Sequence, residues 1–346
     1  MCSRKKTLVF VGTIKKTANC GESMKNHLFI SRFKTIFDRV IVIDIFQPRK
    51  HPMCFIKVII TALMHHNDTI ALSVSPATAD KFIRLLLRLG CKKIYYWSVG
   101  ILLVDYFKEG KFKAITYNKL KAVYVQSPKM VEELNKFGVK NVIYVSNSKY
   151  INYLPEIKKE KGDKTRFVFL SRIHPEKGCK EIIEAARQLN AEGMERNYIV
   201  DFYGAIAPNY ECEFRNQLID KSNLSYKGFL DLTSSSGYDL LSSYEVMLFP
   251  TYYDGEAFPG VVIDAFVAAL PIIATDWHFN TEIINSDVGV IIPPRDVKSL
   301  KKAMEDFITG KIAIHQLRMN SQSRAMRYDN RNVLSKENLT KIGFLS

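Results

Sequence analysis

Tyr252-Tyr-Asp-Gly-Glu-Ala-Phe-Pro-Gly-Val-Val-Ile-Asp-Ala-Phe266 follows the apolar run Val246-Met-Leu-Phe249. The order reads as strand, polar loop, helix. The run lacks polar alternation, as expected of a parallel strand covered on both faces. Pro259 suits the first turn of a helix, where its missing N–H costs nothing. Gly260 lets a ligand approach the backbone closely. The unpaired N–H groups at such a helix start form an anion site.

Glu256 stands in the loop and Asp264 eight residues later, inside the helix. Eight helical residues span about 12 Å, and the loop shortens that. Two acids so placed can contact opposite ends of one nucleotide-sugar, with its diphosphate at the helix start between them. Alone, the pair would equally suit two surface acids. Phe258, Pro259 and Gly260 between them favour a site.

A second stretch has the same grammar: Phe167-Val-Phe-Leu-Ser-Arg-Ile-His-Pro-Glu-Lys-Gly178. Arg172 offers a planar fork of donors to phosphate oxygens, and Lys177 a mobile point charge. Five residues apart in one loop, they can clamp a diphosphate and stabilise charge developing on a leaving phosphate.

Outward from these stretches, strands and helices alternate. Apolar runs at residues 8–11, 40–45, 69–74, 93–97, 122–125 and 141–145 are separated by helix-period stretches at 23–37, 54–65, 79–89 and 129–137. The grammar restarts at 167–170, with further strands at 198–203, 245–249, 271–274 and 289–292. Parallel βαβ units follow. The expectation is α/β: two doubly wound Rossmann-like domains facing across a cleft, 1–160 and 161–310, divided by the polar stretch 155–164. Residues 311–346 read as a helical tail expected to pack back on the N-terminal domain.

At 346 residues, 47% hydrophobic and 25% charged, the chain is neither disordered nor collagen-like, and its core needs no crosslink. Its six cysteines, Cys2, Cys20, Cys54, Cys91, Cys179 and Cys212, form no C-x-x-C pair and suit a reducing compartment. The basic start Arg4-Lys5-Lys6 precedes an apolar run that Lys15-Lys16 ends too early for a membrane span. A cytoplasmic protein is expected, peripheral on the inner face of the plasma membrane.

The charge is uneven. Residues 1–160 carry 28 basic and 11 acidic side chains, a net of +17, while 161–346 carry 22 and 24, a net of −2. That asymmetry implies an acidic partner or a solvated basic surface. The basic helix Lys81-Phe-Ile-Arg-Leu-Leu-Leu-Arg88 places Lys81, Arg84 and Arg88 on one stripe, which reads as an acceptor or membrane face. A core-packed helix with a wet basic back fits as well. Nucleic-acid binding would call for exposed aromatics among the basic residues, or a known motif, and neither is found.

Ser171-Arg-Ile-His-Pro-Glu-Lys-Gly178 with Glu256-Ala-Phe-Pro-Gly-Val-Val-Ile-Asp264 resembles the family-4 retaining glycosyltransferases of GT-B fold, of the bacterial polysaccharide type. Phe202-Tyr-Gly204, Lys227-Gly-Phe229, Pro271–Asp276 and Glu282 fit the same pattern in order, and Asn19–Asn26 resembles the family's first loop. The resemblance implies a hexosyltransferase-type enzyme without metal or cofactor. It would take a UDP-sugar donor and a lipid-linked glycan acceptor at an anionic inner leaflet, in capsule or O-antigen synthesis.

It implies roles as well. Arg172 and Lys177 would hold the diphosphate, Glu256 the sugar hydroxyls and Asp264 the ribose. Phe258, Pro259 and Gly260 would face sugar and phosphate, with Gly21 near the diphosphate, Gly228 near the base and Glu282 in the same donor set. Asp264 stands where the family usually has Glu, and Tyr95–Gly100 lacks the family's N-domain histidine. A nucleotide-sugar epimerase or a phosphorylase of the same fold, the latter with pyridoxal on a lysine, remains the alternative.

Overall fold

A computed structural model of the chain describes residues 6–14, 21–46, 53–157, 162–219, 221–256 and 258–345. Arg4, Lys5, Lys15, Lys16, Cys2, Asn19, Cys20 and Ala257, and part of the 155–164 stretch, lie outside them. The chain divides into two compact units, 1–150 with 328–346, and 151–327.

The first unit holds strands β1 (Thr7–Gly12), β2 (Arg39–Asp44), β3 (Thr69–Ser73), β4 (Ile94–Trp97), β5 (Ala122–Val125) and β6 (Val142–Tyr144). Its helices are α1 (Gly21–Phe33), α2 (Met53–Met64), α3 (Pro76–Arg88), α4 (Leu102–Lys108), α5 (Ala114–Tyr117) and α6 (Pro128–Lys136). The sheet runs β2-β1-β3-β4-β5-β6, all parallel.

The second unit holds β7 (Thr165–Leu170), β8 (Tyr198–Tyr203), β9 (Leu224–Gly228), β10 (Val246–Phe249), β11 (Ile272–Thr275) and β12 (Gly289–Ile292). Its helices are α7 (Cys179–Ala191), α8 (Glu211–Leu218), α9 (Ser235–Ser242), α10 (Gly260–Val267), α11 (Asn280–Ile283), α12 (Val297–Ile308) and α13 (Ile314–Ala325). This sheet runs β12-β11-β10-β7-β8-β9, also parallel. Both units are doubly wound α/β folds, as the alternating pattern implies.

Apolar runs form the sheets because both faces are covered. β4, β5, β10 and β11 are buried along their whole length. In the second unit, Phe167, Phe169 and Phe202 pack with Ile182, Leu189 and Phe307 from α7 and α12. β9 escapes the apolar pattern because it is an edge strand, Leu-Ser-Tyr-Lys-Gly, with only Leu224 fully buried.

The end of the chain divides between the units. α13 packs on α10, and its buried Arg318 donates to the carbonyl oxygen of Ser242 at 2.8 Å. The segment from Tyr328, with α14 (Asn330–Val333) and α15 (Lys336–Lys341), belongs to the first unit. There Phe344 meets Tyr95 at 4.9 Å, Phe33 at 5.1 Å and Trp97 at 5.4 Å between ring centroids. Tyr95 and Tyr124 donate hydroxyl hydrogen bonds to the backbone at Gly343 and Ile342. The first division falls at Tyr150 because the residues after it bond into the second unit: Gln322 donates to Pro155 O at 2.7 Å, and Tyr153 to Asp239.

Candidate functional site

In the second sheet the strand order reverses between β7 and β10, which pair directly through Val246 beside Phe167 and Leu248 beside Phe169. Ligands of open α/β sheets bind at such a reversal, outside the carboxyl ends of the strands. The loops leaving these two ends are the two stretches that carry the sequence motifs.

The loop after β7 continues the strand pairing for three residues. Ser171 N donates to Tyr203 O at 3.1 Å, and Ile173 N to Ala205 O at 2.9 Å. The two-residue alternation then buries Ile173 and leaves Arg172 exposed. One turn of 3₁₀ helix, Pro175–Lys177, follows, with His174 Nδ1 accepting from Glu176 N at 3.3 Å. It ends at Gly178, at φ +83°, where a Cβ would lie 2.3 Å from Pro250 O. Only glycine satisfies both conditions, so the two loops touch there.

The loop after β10 is tied to the first by Tyr252 N, which donates to Glu176 O at 2.8 Å. Thr251 Oγ1 lies 3.3 Å from Glu256 Oε2, and Thr275 from β11 holds the Thr251 carbonyl oxygen. Across this junction Lys177 Nζ pairs with Glu256 Oε2, with side chains 9% and 12% exposed. A buried ion pair is a poor stability device, since desolvation offsets most of its attraction. Its place at the strand reversal fits a functional role better.

Tyr253 organises the cations. Its ring centroid lies 4.5 Å from Lys177 Nζ and 5.3 Å from Arg172 Cζ, and its carbonyl accepts from Trp277 Nε1 at 3.0 Å. One ring thus stands within cation–π distance of both positive groups. The motif reading includes Tyr253 without a role, because spacing along a loop does not show where a ring will fold.

Phe258 and Pro259 are buried, and Pro259 is the cap residue immediately before α10, which starts at Gly260. Asp264 lies one turn inside α10, 4% exposed, and accepts from the Tyr238 hydroxyl at 2.8 Å. Burial first, then the Asp264 charge, raises the Tyr238 phenol well above its ordinary range, so it stays a donor. Gly228 closes β9 at φ +79° with open space where a Cβ would stand, and its carbonyl accepts from Gly204 N at 2.8 Å. Glu282 is exposed on α11, beyond the carboxyl end of β11.

The structure therefore brings Arg172, Lys177 and Glu256 together, beside the segment 258–260. Gly21, Lys81, Arg84 and Arg88 belong to α1 and α3 of the first unit. Arg84 is bonded to Asp80 at 2.7 Å, while Lys81 and Arg88 are exposed. Among the described residues no cluster of His, Cys, Asp or Glu is arranged to hold a metal ion.

A curated 2-deoxystreptamine N-acetyl-D-glucosaminyltransferase of Niallia circulans is 23% identical over 265 residues, 70% of this chain. The match spans 66% of that relative's length. Among solved structures, Anabaena HepE in complex with UDP superimposes with a TM-score of 0.74 at 16% identity, covering 98% of this chain and 100% of that one. A glycosyltransferase from Rickettsia africae gives 0.75 at 15% identity, covering 99% and 98%. The family model described as "Glycosyl transferases group 1" matches residues 152–326, just over half of the chain and nearly all of the unit that carries these loops. The chain belongs to the glycosyl transferases of group 1.

Proposed function

We propose that the protein is a retaining glycosyltransferase that moves a sugar from a UDP-sugar to a lipid-linked glycan acceptor in cell-surface polysaccharide synthesis. The buried Lys177–Glu256 pair at the strand reversal, with Arg172 on the same tyrosine ring, carries this reading. The UDP bound in the HepE structure supports the choice of base.

The chemistry follows from the charges. Arg172 and Lys177 take the two phosphates, and Lys177 has three N–H donors, enough for a phosphate oxygen as well as Glu256. Glu256 accepts from a sugar hydroxyl and sets the sugar's angle. The C1–phosphate oxygen bond breaks as the acceptor oxygen bonds C1 from the same face. The bonding pair stays with the diphosphate, which takes the acceptor proton, and the two cations stabilise that charge. Phe258, Pro259 and Gly260 supply the helix start beneath the phosphates. Asp264 reaches the ribose with Tyr238 as its bonded neighbour, Gly228 lies by the base, and Glu282 completes the donor set of this unit. No divalent ion is required, so activity should survive EDTA.

The test is melting temperature against UDP, GDP and ADP without added metal, for the native chain, Arg172→Ala and Glu256→Ala. At 100 times its dissociation constant a nucleotide stabilises by about 2.7 kcal/mol, several degrees here. UDP should stabilise the native chain and not Arg172→Ala. Glu256→Ala should keep UDP binding and lose sugar transfer. Stabilisation by GDP or ADP alone would overturn the base assignment, and no response to any nucleotide would overturn the site.

A further inference from the structure

Helix α2 is apolar on both sides. Its inner side holds Cys54, Val58 and Ala62, all buried, and Phe55 stacks on Phe82 of α3 with centroids 5.1 Å apart. Its outer side carries Met53, Ile56, Ile60, Leu63 and Met64, which are 60, 47, 53, 55 and 73% exposed. At 3.6 residues per turn these five fall on one arc of about 100°. Single exposed apolar residues are ordinary, but five contiguous large ones on one helix face are not. A helix that is apolar all round belongs in a core or in lipid, and this one has a core on one side only.

Lysines stand on one edge of the arc and in the segments packed against α2. Lys57 is exposed beside it, and α2 has no acidic residue. Lys81 is exposed next to Phe82, the residue that stacks on α2. Lys92 and Lys93 are exposed immediately after Cys91, whose thiol reaches the Ala62 carbonyl at 4.0 Å. The patch is apolar at its centre, with Lys57 on its edge and further lysines in the segments that pack against α2, while the Asp44 charge acts on Cys54 at the start of the helix.

We propose that α2 lies in the headgroup–acyl boundary of an anionic phospholipid bilayer, with Met53, Ile56, Ile60, Leu63 and Met64 inserted and Lys57, Lys81, Lys92 and Lys93 on the headgroups. Its 12 residues span about 18 Å, too short to cross the hydrocarbon and suited to lying in its surface. A second copy of the chain docking by a two-fold would set the same cations against one another. A bilayer of anionic lipid instead complements the net +17 of residues 1–160. The stripe of Lys81, Arg84 and Arg88 is thereby divided. Lys81 borders the inserted helix, while Arg84 pairs with Asp80 and, with Arg88, lines a groove with Ile115 and Lys119. This inference goes beyond the transfer reading and does not depend on it, because the nucleotide test reports on residues of the second unit.

Flotation of the full chain with vesicles of equimolar phosphatidylglycerol and phosphatidylcholine, at low salt, is the test. Vesicles of phosphatidylcholine alone serve as the reference. The native chain should float with the anionic vesicles. Ile60→Glu, an exposed substitution that keeps the circular dichroism and melting temperature, should lower the bound fraction about tenfold. Lys57→Glu should weaken binding and its salt dependence together. Absence of native flotation, or equal flotation of Ile60→Glu, would overturn the proposal. So would a dimer in light scattering that Ile60→Glu dissociates, which would assign the face to a second copy.

Discussion

Tyr253 is where a single side chain decides how two charges are used. Arg172 and Lys177 are five positions apart in the chain, yet both stand over this ring. Cation–π contacts contribute about 0.5–2 kcal/mol each. Tyr253→Leu should therefore weaken UDP binding about tenfold by calorimetry with little change in melting temperature. Unchanged affinity would mean that the Glu256 pair alone positions Lys177. In the first unit, Lys25 donates to Ser98 O at 3.3 Å beside Glu22. Burial pulls its ammonium down to about 7, against the opposing pull of the Glu22 charge. In the unfolded chain the same lysine titrates near 10.4. Between about pH 8 and 10 the unfolded chain holds the extra proton, so this group's contribution to stability rises with pH. Replacing it, Lys25→Met, should flatten the rise of unfolding free energy over that window. An unaltered slope would show that the ammonium is solvated.

At the scale of elements, the two loops act as one because β7 and β10 are neighbours and Gly178 lets their ends touch. Gly178→Ala forces a side chain into a left-handed backbone position and against Pro250 O. A loss of about 2 kcal/mol or more is expected in urea unfolding, with UDP stabilisation diminished as Lys177 shifts. Retained UDP binding in a destabilised Gly178→Ala would separate the loop contact from the site. The strand–loop–helix grammar of both motifs was legible in the residues because a strand buried on both faces needs an unbroken apolar run, as Val246–Phe249 has. β9 was not legible as a strand, because an edge strand with one covered face carries Ser225 and Lys227. The groups that hold the loops in place, Thr251, Tyr253, Thr275 and Trp277, were not legible as parts of the site. Their partners come from the neighbouring loop or strand, at sequence distances no periodicity links.

At the scale of the whole chain, the last residues return to the first unit. Phe344 sits among Phe33, Phe37, Tyr95, Trp97 and Tyr124. Truncating a buried aromatic side chain costs about 3–5 kcal/mol. Phe344→Ala should lower the urea midpoint accordingly, and an unmoved midpoint would mean that the C-terminal segment adds no stability. Local chemistry alone specified the parallel α/β class, the two motif-bearing loops and the concentration of positive charge before residue 160. Each of these depends on residues close together in the chain, on apolar runs, turn formers and counted charges. Tertiary packing alone decided that Lys177 meets Glu256, that Tyr238 bonds Asp264, and that α2 keeps an apolar face outward. Those outcomes depend on which strands become neighbours and which helix face the core leaves uncovered, and contacts between residues far apart in the chain settle both.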